Sequence, residues 1–165
     1  QPVFYTTAKF GTQWIILDTM DTNYTKLILP GIKSISLAKL EEAEIGKFYN
    51  EMNTFNVTGN FVQLPIAGLC SFDTSSEVVK GQLIYTYTVK GSLFDQNTIN
   101  LWQWNAIPVC AKVTDINRST YLLGSKEKPF ATCSIGLSIE NEASGKRYRG
   151  LTLSFKSPDP LYFCH

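Results

Sequence analysis

The strongest structural signal in this sequence is a strict alternation of apolar and polar residues. Over residues 131–140 every odd position is apolar, and every even position is polar or glycine. Residues 83–89 repeat the pattern, with Leu, Tyr, Tyr and Val at the odd positions. Successive side chains of a strand point to opposite faces, so a period of two predicts half-buried β-strands.

Shorter apolar runs between turn residues extend the β prediction over most of the chain. Turns are indicated at Gly59-Asn60, at Gly91, which should end the strand that begins near residue 83, and at 157–160. The other predicted strands are 2–7, 13–18, 26–29, 32–36, 54–58, 61–64, 99–104, 107–113 and 148–155. We therefore expect one all-β, mainly antiparallel domain over residues 1–165, either a β-sandwich or a jelly-roll or barrel-like fold.

One segment departs from the β pattern and predicts a short helix near residues 37–52. Leu37, Leu40, Phe48 and Met52 fall near one helical face. A serine precedes the segment as a possible N-cap, and three glutamates lie in its first half. The positive end of a helix dipole favours negative charge at that position.

The sequence contains four cysteines, which are Cys70, Cys110, Cys133 and Cys164. Their even number, together with a composition typical of extracellular domains, favours disulfide bonds over buried free thiols. Three pairings are possible. We expect the nested one, Cys70–Cys164 with Cys110–Cys133. The inner pair, 23 residues apart, fits two neighbouring strands, and the outer bridge would tie down the end of the chain.

Three N-glycosylation sequons, at Asn23, Asn56 and Asn117, support an extracellular location. Asn23 and Asn117 fall in polar, turn-like segments of the kind that glycosylation requires. No apolar run approaches the roughly 20 residues of a membrane-spanning helix. We therefore expect a secreted or extracellular glycoprotein that does not insert into a membrane.

Little in the sequence points to catalysis or to a cofactor. The only histidine is His165, the last residue, so Ser-His-Asp and Cys-His catalysis are not expected. No Cys-x-x-Cys pair is present, and we expect no metal or other cofactor. With 15 basic and 14 acidic residues, the net charge of +1 does not favour nucleic-acid binding. Carboxylates that a histidine-independent enzyme would use are Glu41, Glu42, Glu44, Glu140 and Glu142.

Two aromatic pairs are the first candidates for a binding surface. Trp102 and Trp104 would point to the same face of the predicted strand 99–104, where exposed indoles could stack on a sugar or contact a protein. Tyr85 and Tyr87 form a second pair of the same kind. Both pairs could instead belong to the core.

A basic cluster is the other candidate. Lys146, Arg147 and Arg149 lie in a predicted hairpin, with Lys156 nearby in sequence. Such a cluster could bind an anionic glycan or an acidic protein, or it could be a solvated hairpin tip.

Together these features predict a secreted, disulfide-bonded recognition domain, acting in receptor binding, adhesion or host interaction through a protein or glycan partner. One alternative is a β-barrel that carries a small apolar ligand in its interior. The second is a histidine-independent hydrolase with two carboxylates in a cleft. The oligomeric state is left open.

Overall fold

The computed structural model of the protein describes residues 5–10, 13–18, 31–49, 54–94, 100–139 and 147–164. Most of these residues lie in strands, which confirms the all-β, mainly antiparallel fold. The strands are β1 (Tyr5–Phe10), β2 (Gln13–Asp18), β3 (Ile32–Lys39), β4 (Ala43–Tyr49), β5 (Thr54–Gly59), β6 (Val62–Gln63), β7 (Ser71–Val79), β8 (Gln82–Leu93), β9 (Pro108–Asp115), β10 (Thr120–Leu123), β11 (Ala131–Ile139), β12 (Arg147–Ser157) and β13 (Tyr162–Cys164). A 3-10 helix, η1, spans Leu101–Trp104.

Strand β9 is central to the sheet because it pairs with three other strands. β3 runs antiparallel along one edge of β9, from Ile32 to Lys39. The opposite edge is shared between β11, beside Pro108, and β10, at residues 111–114. β9 begins at Pro108, one residue after the start of the predicted strand 107–113, because a proline without a backbone N–H is tolerated at the first residue of a strand.

The strands around the larger core form a ring that is nearly closed. Successive antiparallel pairings link β3, β9, β11, β12, β8 and β7. Cys70, just before β7, exchanges two backbone hydrogen bonds of 3.0 Å with Ile32 at the start of β3. A sheet that returns to its own first strand is barrel-like. The buried side chains that fill its interior include Ile35, Val89, Val113, Ile135 and Leu153.

A second, smaller core lies on the opposite face of β9. Val109, Ala111 and Val113 belong to the ring interior, whereas Cys110 belongs to the second core. β9 is therefore buried on both faces. The other fully buried members of the second core are Ala38, Ala43, Val57, Leu122 and Cys164.

The two cores separate the cysteines, so the predicted disulfide pairing is wrong. Cys70 and Cys133 lie in the ring interior, and Cys110 and Cys164 lie in the second core. Each predicted bridge would join one core to the other. All four thiols are buried and unbonded. Cys110 and Cys133 do lie on neighbouring strands, but their side chains point to opposite sides of the sheet, which sequence separation cannot reveal.

The predicted helix at 37–52 is also wrong, because residues 32–39 form β3 and residues 43–49 form β4, with a short turn between them, and residues 50–52 lie outside the described part of the chain. The turn is closed by a 2.9 Å hydrogen bond from the Glu42 N–H to the Lys39 carbonyl. Leu37 enters the ring interior and Ala38 the second core. Because Leu37 and Ala38 are buried on opposite faces, the alternation of the strand is interrupted at this point, and the apolar spacing of the segment imitates a helical period.

Strand β8 is longer than the sequence predicts, because Gly91 does not end it. β8 continues to Leu93 and stays in register with β12, where Gly91 lies opposite Leu151. A Cβ at position 91 would collide with Sγ of Cys70. The glycine therefore permits a close approach of Cys70 rather than a turn.

The sequence does not predict strand β7. Every residue of β7 except Phe72 is exposed, and most are polar, so no alternation appears in this segment. It pairs with β8 from Ser71 to Val79. Backbone pairing with β8, rather than burial of one face, defines this strand.

Candidate functional site

Trp102 and Trp104 point in different directions, because the segment that carries them is η1 and not a strand. In a 3-10 helix with three residues per turn, positions two apart point about 120° apart. Trp104 is 2% exposed and packs in the ring interior, whereas Trp102 is 52% exposed. The prediction that both indoles share one face is wrong, and only Trp102 is open to a partner. Residue 99 of the predicted strand lies outside the described residues.

Asn105 fixes the position of η1 on the ring. Its side-chain oxygen accepts a 2.6 Å hydrogen bond from the Ile135 N–H, and its amide nitrogen donates a 2.9 Å bond to the Ile135 carbonyl. The backbone of Asn105 bridges Cys133, and its N–H donates to the Trp102 carbonyl at 3.2 Å. The amide side chain thus replaces a strand partner for Ile135 and anchors the residue that follows η1.

The exposed indole of Trp102 is covered in part by a cation. The guanidinium carbon of Arg149 lies 4.8 Å from the centre of the Trp102 ring, which is a cation–π contact. Arg149 lies on β12 and Trp102 on η1, so two parts of the chain that are distant in sequence meet here. The structure therefore brings together one residue of the predicted tryptophan pair and one residue of the predicted basic cluster.

Arg149 and Trp102 lie where the core opens to solvent. Arg149 is directly opposite Leu137 on β11 and Leu93 on β8, so these three side chains share one face of the sheet. Leu93 is fully buried, but Leu137 is 42% exposed. The positions that face the ring interior therefore become accessible at this end. We call the surface formed by Trp102, Leu137 and Arg149 the end patch.

The second aromatic pair is largely structural. Tyr85 and Tyr87 stack with ring centres 6.2 Å apart and an angle of 14° between the rings. Tyr87 is buried, its ring also stacks with Phe155, and its hydroxyl donates to the Asp159 carbonyl at 3.3 Å. Burial is the largest cause that raises the pKa of the Tyr87 hydroxyl, and the nearby Tyr85 raises it further. Tyr85 is only partly buried and is the one member of the pair that solvent reaches well.

The basic cluster does not remain together in the structure. Lys146 and the side chain of Arg147 lie outside the described part of the chain. Lys156 is seven residues beyond Arg149 on β12, roughly 23 Å at about 3.3 Å per residue. Its ammonium group pairs with Glu77 at 3.3 Å. Only Arg149 of this group is therefore placed in the end patch.

The four thiols are poorly suited to nucleophilic chemistry. Burial raises the pKa of Cys110 and Cys133 to about 12 and that of Cys164 to about 11, and it also raises the pKa of Cys70. The thiolate is the nucleophilic and metal-binding form, so protonated thiols are inert at neutral pH. Within the described ranges, no group of three or more His, Cys, Asp or Glu residues is placed to hold a metal ion.

The candidate carboxylates for hydrolysis occupy exposed positions where they are described. Glu41 and Glu42 are exposed in the turn between β3 and β4, and Glu44 is exposed on β4; Glu42 pairs with Lys39 at 3.7 Å. Glu140 and Glu142 lie outside the described residues. The exposed group offers no desolvated acid of the kind that glycosidases use.

The sequons differ in their settings. Asn56 is exposed on β5, and Asn117 lies in the turn between β9 and β10, while Asn23 falls outside the described residues. That turn is held by Asp115, whose carboxylate accepts a 2.9 Å hydrogen bond from the Ser119 N–H. Exposure at Asn56 is compatible with a glycan, although the residue lies in a strand rather than a loop.

Sequence analysis missed Asn105 and Leu137, which complete the site. Leu137 was assigned to the interior face of β11, and this face is correct, but alternation cannot show where the core ends. An amide directly after an aromatic helical turn has no sequence signature of its own. Both roles become visible only when η1 is placed against β11.

Among the residues that the structure describes, no helix has the length and apolar character to cross a membrane. Comparison with known families, curated proteins and solved structures completes the account of the site. No family model, no curated protein and no solved structure matches this chain.

Proposed function

We propose that this chain is an extracellular recognition domain that binds a protein or glycan partner through the end patch. The observation that carries the proposal is the exposed indole of Trp102, which contacts the guanidinium group of Arg149 and belongs to a helical turn that Asn105 anchors to β11. The proposal concerns binding and includes no catalytic step.

A fixed aromatic side chain in solvent is well suited to binding. Trp and Arg are the residues most enriched among those that dominate the binding energy of interfaces. Because Trp102 and Arg149 already contact each other, less side-chain freedom is lost when a partner arrives. Leu137 adds apolar area beside them, at 42% exposure.

The chemistry of the end patch suggests the kind of partner. An indole face stacks on the apolar face of a sugar or on an apolar side chain. A guanidinium group binds carboxylates through two parallel hydrogen bonds. An acidic glycan, or a protein surface with a carboxylate beside an apolar group, offers both features.

The extracellular location rests on the sequence. Three sequons and the content of Ser, Thr and aromatic residues motivate it, with Asn56 and Asn117 as the sequons that the structure describes. Because the four cysteines are buried and unbonded, the proposal requires no disulfide bond. The interior of the ring is filled by buried side chains, so we place recognition on the surface rather than inside a barrel.

A glycan microarray with acidic and neutral glycans, followed by cell-surface binding with and without sialidase treatment, tests the proposal. We expect binding to weaken at least tenfold in both Trp102→Ala and Arg149→Ala proteins. Phe163→Ala serves as the matched control, because Phe163 is 39% exposed and aromatic but lies on β13. If Trp102→Ala binds every ligand as tightly as the unmodified protein, the end patch is not the recognition surface.

A further inference from the structure

A second surface feature lies between the β3–β4 turn, the residues that follow η1 and the loop before β11. Two adjoining depressions of about 610 and 600 Å³ share the residues Ile107, Pro108 and Phe130. Leu40 extends the apolar floor at one end. Each depression has the size of an ordinary small-molecule site, roughly 300–1,000 Å³. We call the joined depressions the groove.

The groove is built from segments that are tied to one another. The Leu40 N–H donates a 3.2 Å hydrogen bond to the Pro108 carbonyl. The ammonium group of Lys126 donates a 2.7 Å hydrogen bond to the Leu40 carbonyl, and this links the loop before β11 to the β3–β4 turn. The walls are thus held in place by contacts between different elements.

Lysines line this apolar floor on several sides. Lys39 and Lys126 line one depression and Lys128 lines the other. Glu41 also lines the groove, and Glu42 pairs with Lys39. Among the described residues, no acidic side chain lines the depression that holds Lys128, whose other lining residues are Ala106, Ile107, Pro108, Pro129, Phe130 and Thr132.

We propose that the groove binds a free single-chain acidic amphiphile, such as a fatty carboxylate. The hydrocarbon chain would lie along Ile107, Pro108 and Phe130, and the carboxylate would meet the ammonium group of Lys128 or Lys126. A hydrocarbon chain has no backbone amides to satisfy, so it suits a floor that is largely apolar, whereas an extended peptide would need polar partners along its length. Trp102, Leu137 and Arg149 do not line the groove, so we expect the two surfaces to bind independently, although Gln103 of η1 lies at the edge of the groove.

Calorimetric titration with dodecanoate below its critical micelle concentration tests this proposal, with dodecanol and dodecyltrimethylammonium as probes of equal chain length. We expect dodecanoate to bind at least tenfold more tightly than either of the other two. Ile107→Asp places a carboxylate on the floor and should weaken dodecanoate binding at least tenfold. Leu83→Asp is the matched control, because Leu83 is 43% exposed on the β7–β8 hairpin.

A second variant keeps the test decisive if Ile107→Asp fails to fold, as far-ultraviolet circular dichroism would reveal. Lys128→Glu should lower the preference for dodecanoate over dodecyltrimethylammonium at least fivefold, whereas Lys90→Glu, on the exposed face of β8, should not change it. Equal binding of all three probes would overturn the proposal. A higher affinity for phosphatidylserine vesicles than for free dodecanoate would also overturn the proposal, because the groove would then bind a membrane surface.

The Trp102→Ala protein separates this proposal from the proposed function. It should bind dodecanoate within twofold of the unmodified protein while losing its glycan or protein partner. Loss of both activities in that single variant would show that the two surfaces are one site, and would contradict the independence stated above.

Discussion

The side-chain amide of Asn105 hydrogen-bonds both backbone groups of Ile135, at 2.6 and 2.9 Å. This pair of bonds joins the end of η1 to β11, and so it decides where Trp102 stands relative to Arg149. The accessible indole is therefore a consequence of a polar anchor that lies at the edge of the ring interior.

Replacement of Asn105 by Ala should destabilise the protein by about 2–3 kcal/mol, because it leaves the N–H and carbonyl of Ile135 without their partner. Asn105→Asp keeps the acceptor for the N–H but places a carboxylate against the carbonyl, so we expect a comparable loss. Urea denaturation measures both. A loss below about 0.5 kcal/mol in both variants would show that the anchor is dispensable.

The contact between Trp102 and Arg149 should contribute about 0.5–1 kcal/mol of coupling energy, as exposed cation–π pairs do. A double-mutant cycle with Trp102→Ala, Arg149→Ala and the double variant measures it. Additive losses in the cycle would mean that the two side chains are neighbours without a favourable interaction.

Gly91→Ala should destabilise the protein by about 1–3 kcal/mol through overpacking, because the new methyl group would occupy the space of the Cys70 sulfur. Cys70→Ala should restore much of that loss when it is combined with Gly91→Ala. Gly136→Ala on β11 is the matched control, since a Cβ there meets no neighbouring atom within 4 Å. A double variant that is no more stable than Gly91→Ala would contradict the assigned contact.

Stability should fall as the pH rises from about 9 towards 12. The pKa of Cys110 and Cys133 is raised to about 12 in the native state, whereas a solvated thiol in the unfolded chain keeps its ordinary pKa near 9.0. The unfolded chain therefore loses protons first, which lowers the free energy of unfolding in this window. Cys133→Ala should flatten the decline, as denaturation curves at several pH values would show. If the free energy of unfolding falls equally steeply with pH in the Cys133→Ala protein, the raised pKa of Cys133 does not contribute to the decline.

The same burial predicts that all four thiols are protected in the native protein. Alkylation at pH 8 should be slow before denaturation and should modify four cysteines once guanidinium is added without a reductant. Mass spectrometry gives the count directly. Peptides joined by Cys70–Cys164 or Cys110–Cys133 would contradict the division of the cysteines between two cores.

Sequence reasoning succeeded where one face of a strand is buried and the other is not. Residues 131–139 and 147–157 form the β11–β12 hairpin close to the predicted bounds, because alternation reports burial on one face. It failed for β7, which is exposed on both faces, and from Leu37 onward, where a helix was predicted although β3 continues to Lys39 and β4 follows. In β7 and at the consecutively buried Leu37 and Ala38 the period of two disappears, although backbone pairing still makes a strand.

Much less of the candidate site could be predicted. The sequence indicates Trp102 as an aromatic candidate and Arg149 as a basic one, but nothing in the sequence shows that they meet. Their contact depends on Asn105 and on the register of Leu137 with Arg149, which are tertiary features. The cysteine pairing fails for a related reason, since it depends on which of the two cores each side chain enters.

The most direct test of the end patch is a two-dimensional nuclear magnetic resonance titration of the indole N–H signals with the ligand selected on the microarray. The signal of Trp102 should shift progressively and saturate, while that of the buried Trp104 stays in place. A saturable titration in which the Trp102 signal does not move, while signals elsewhere on the surface do, would contradict the central claim.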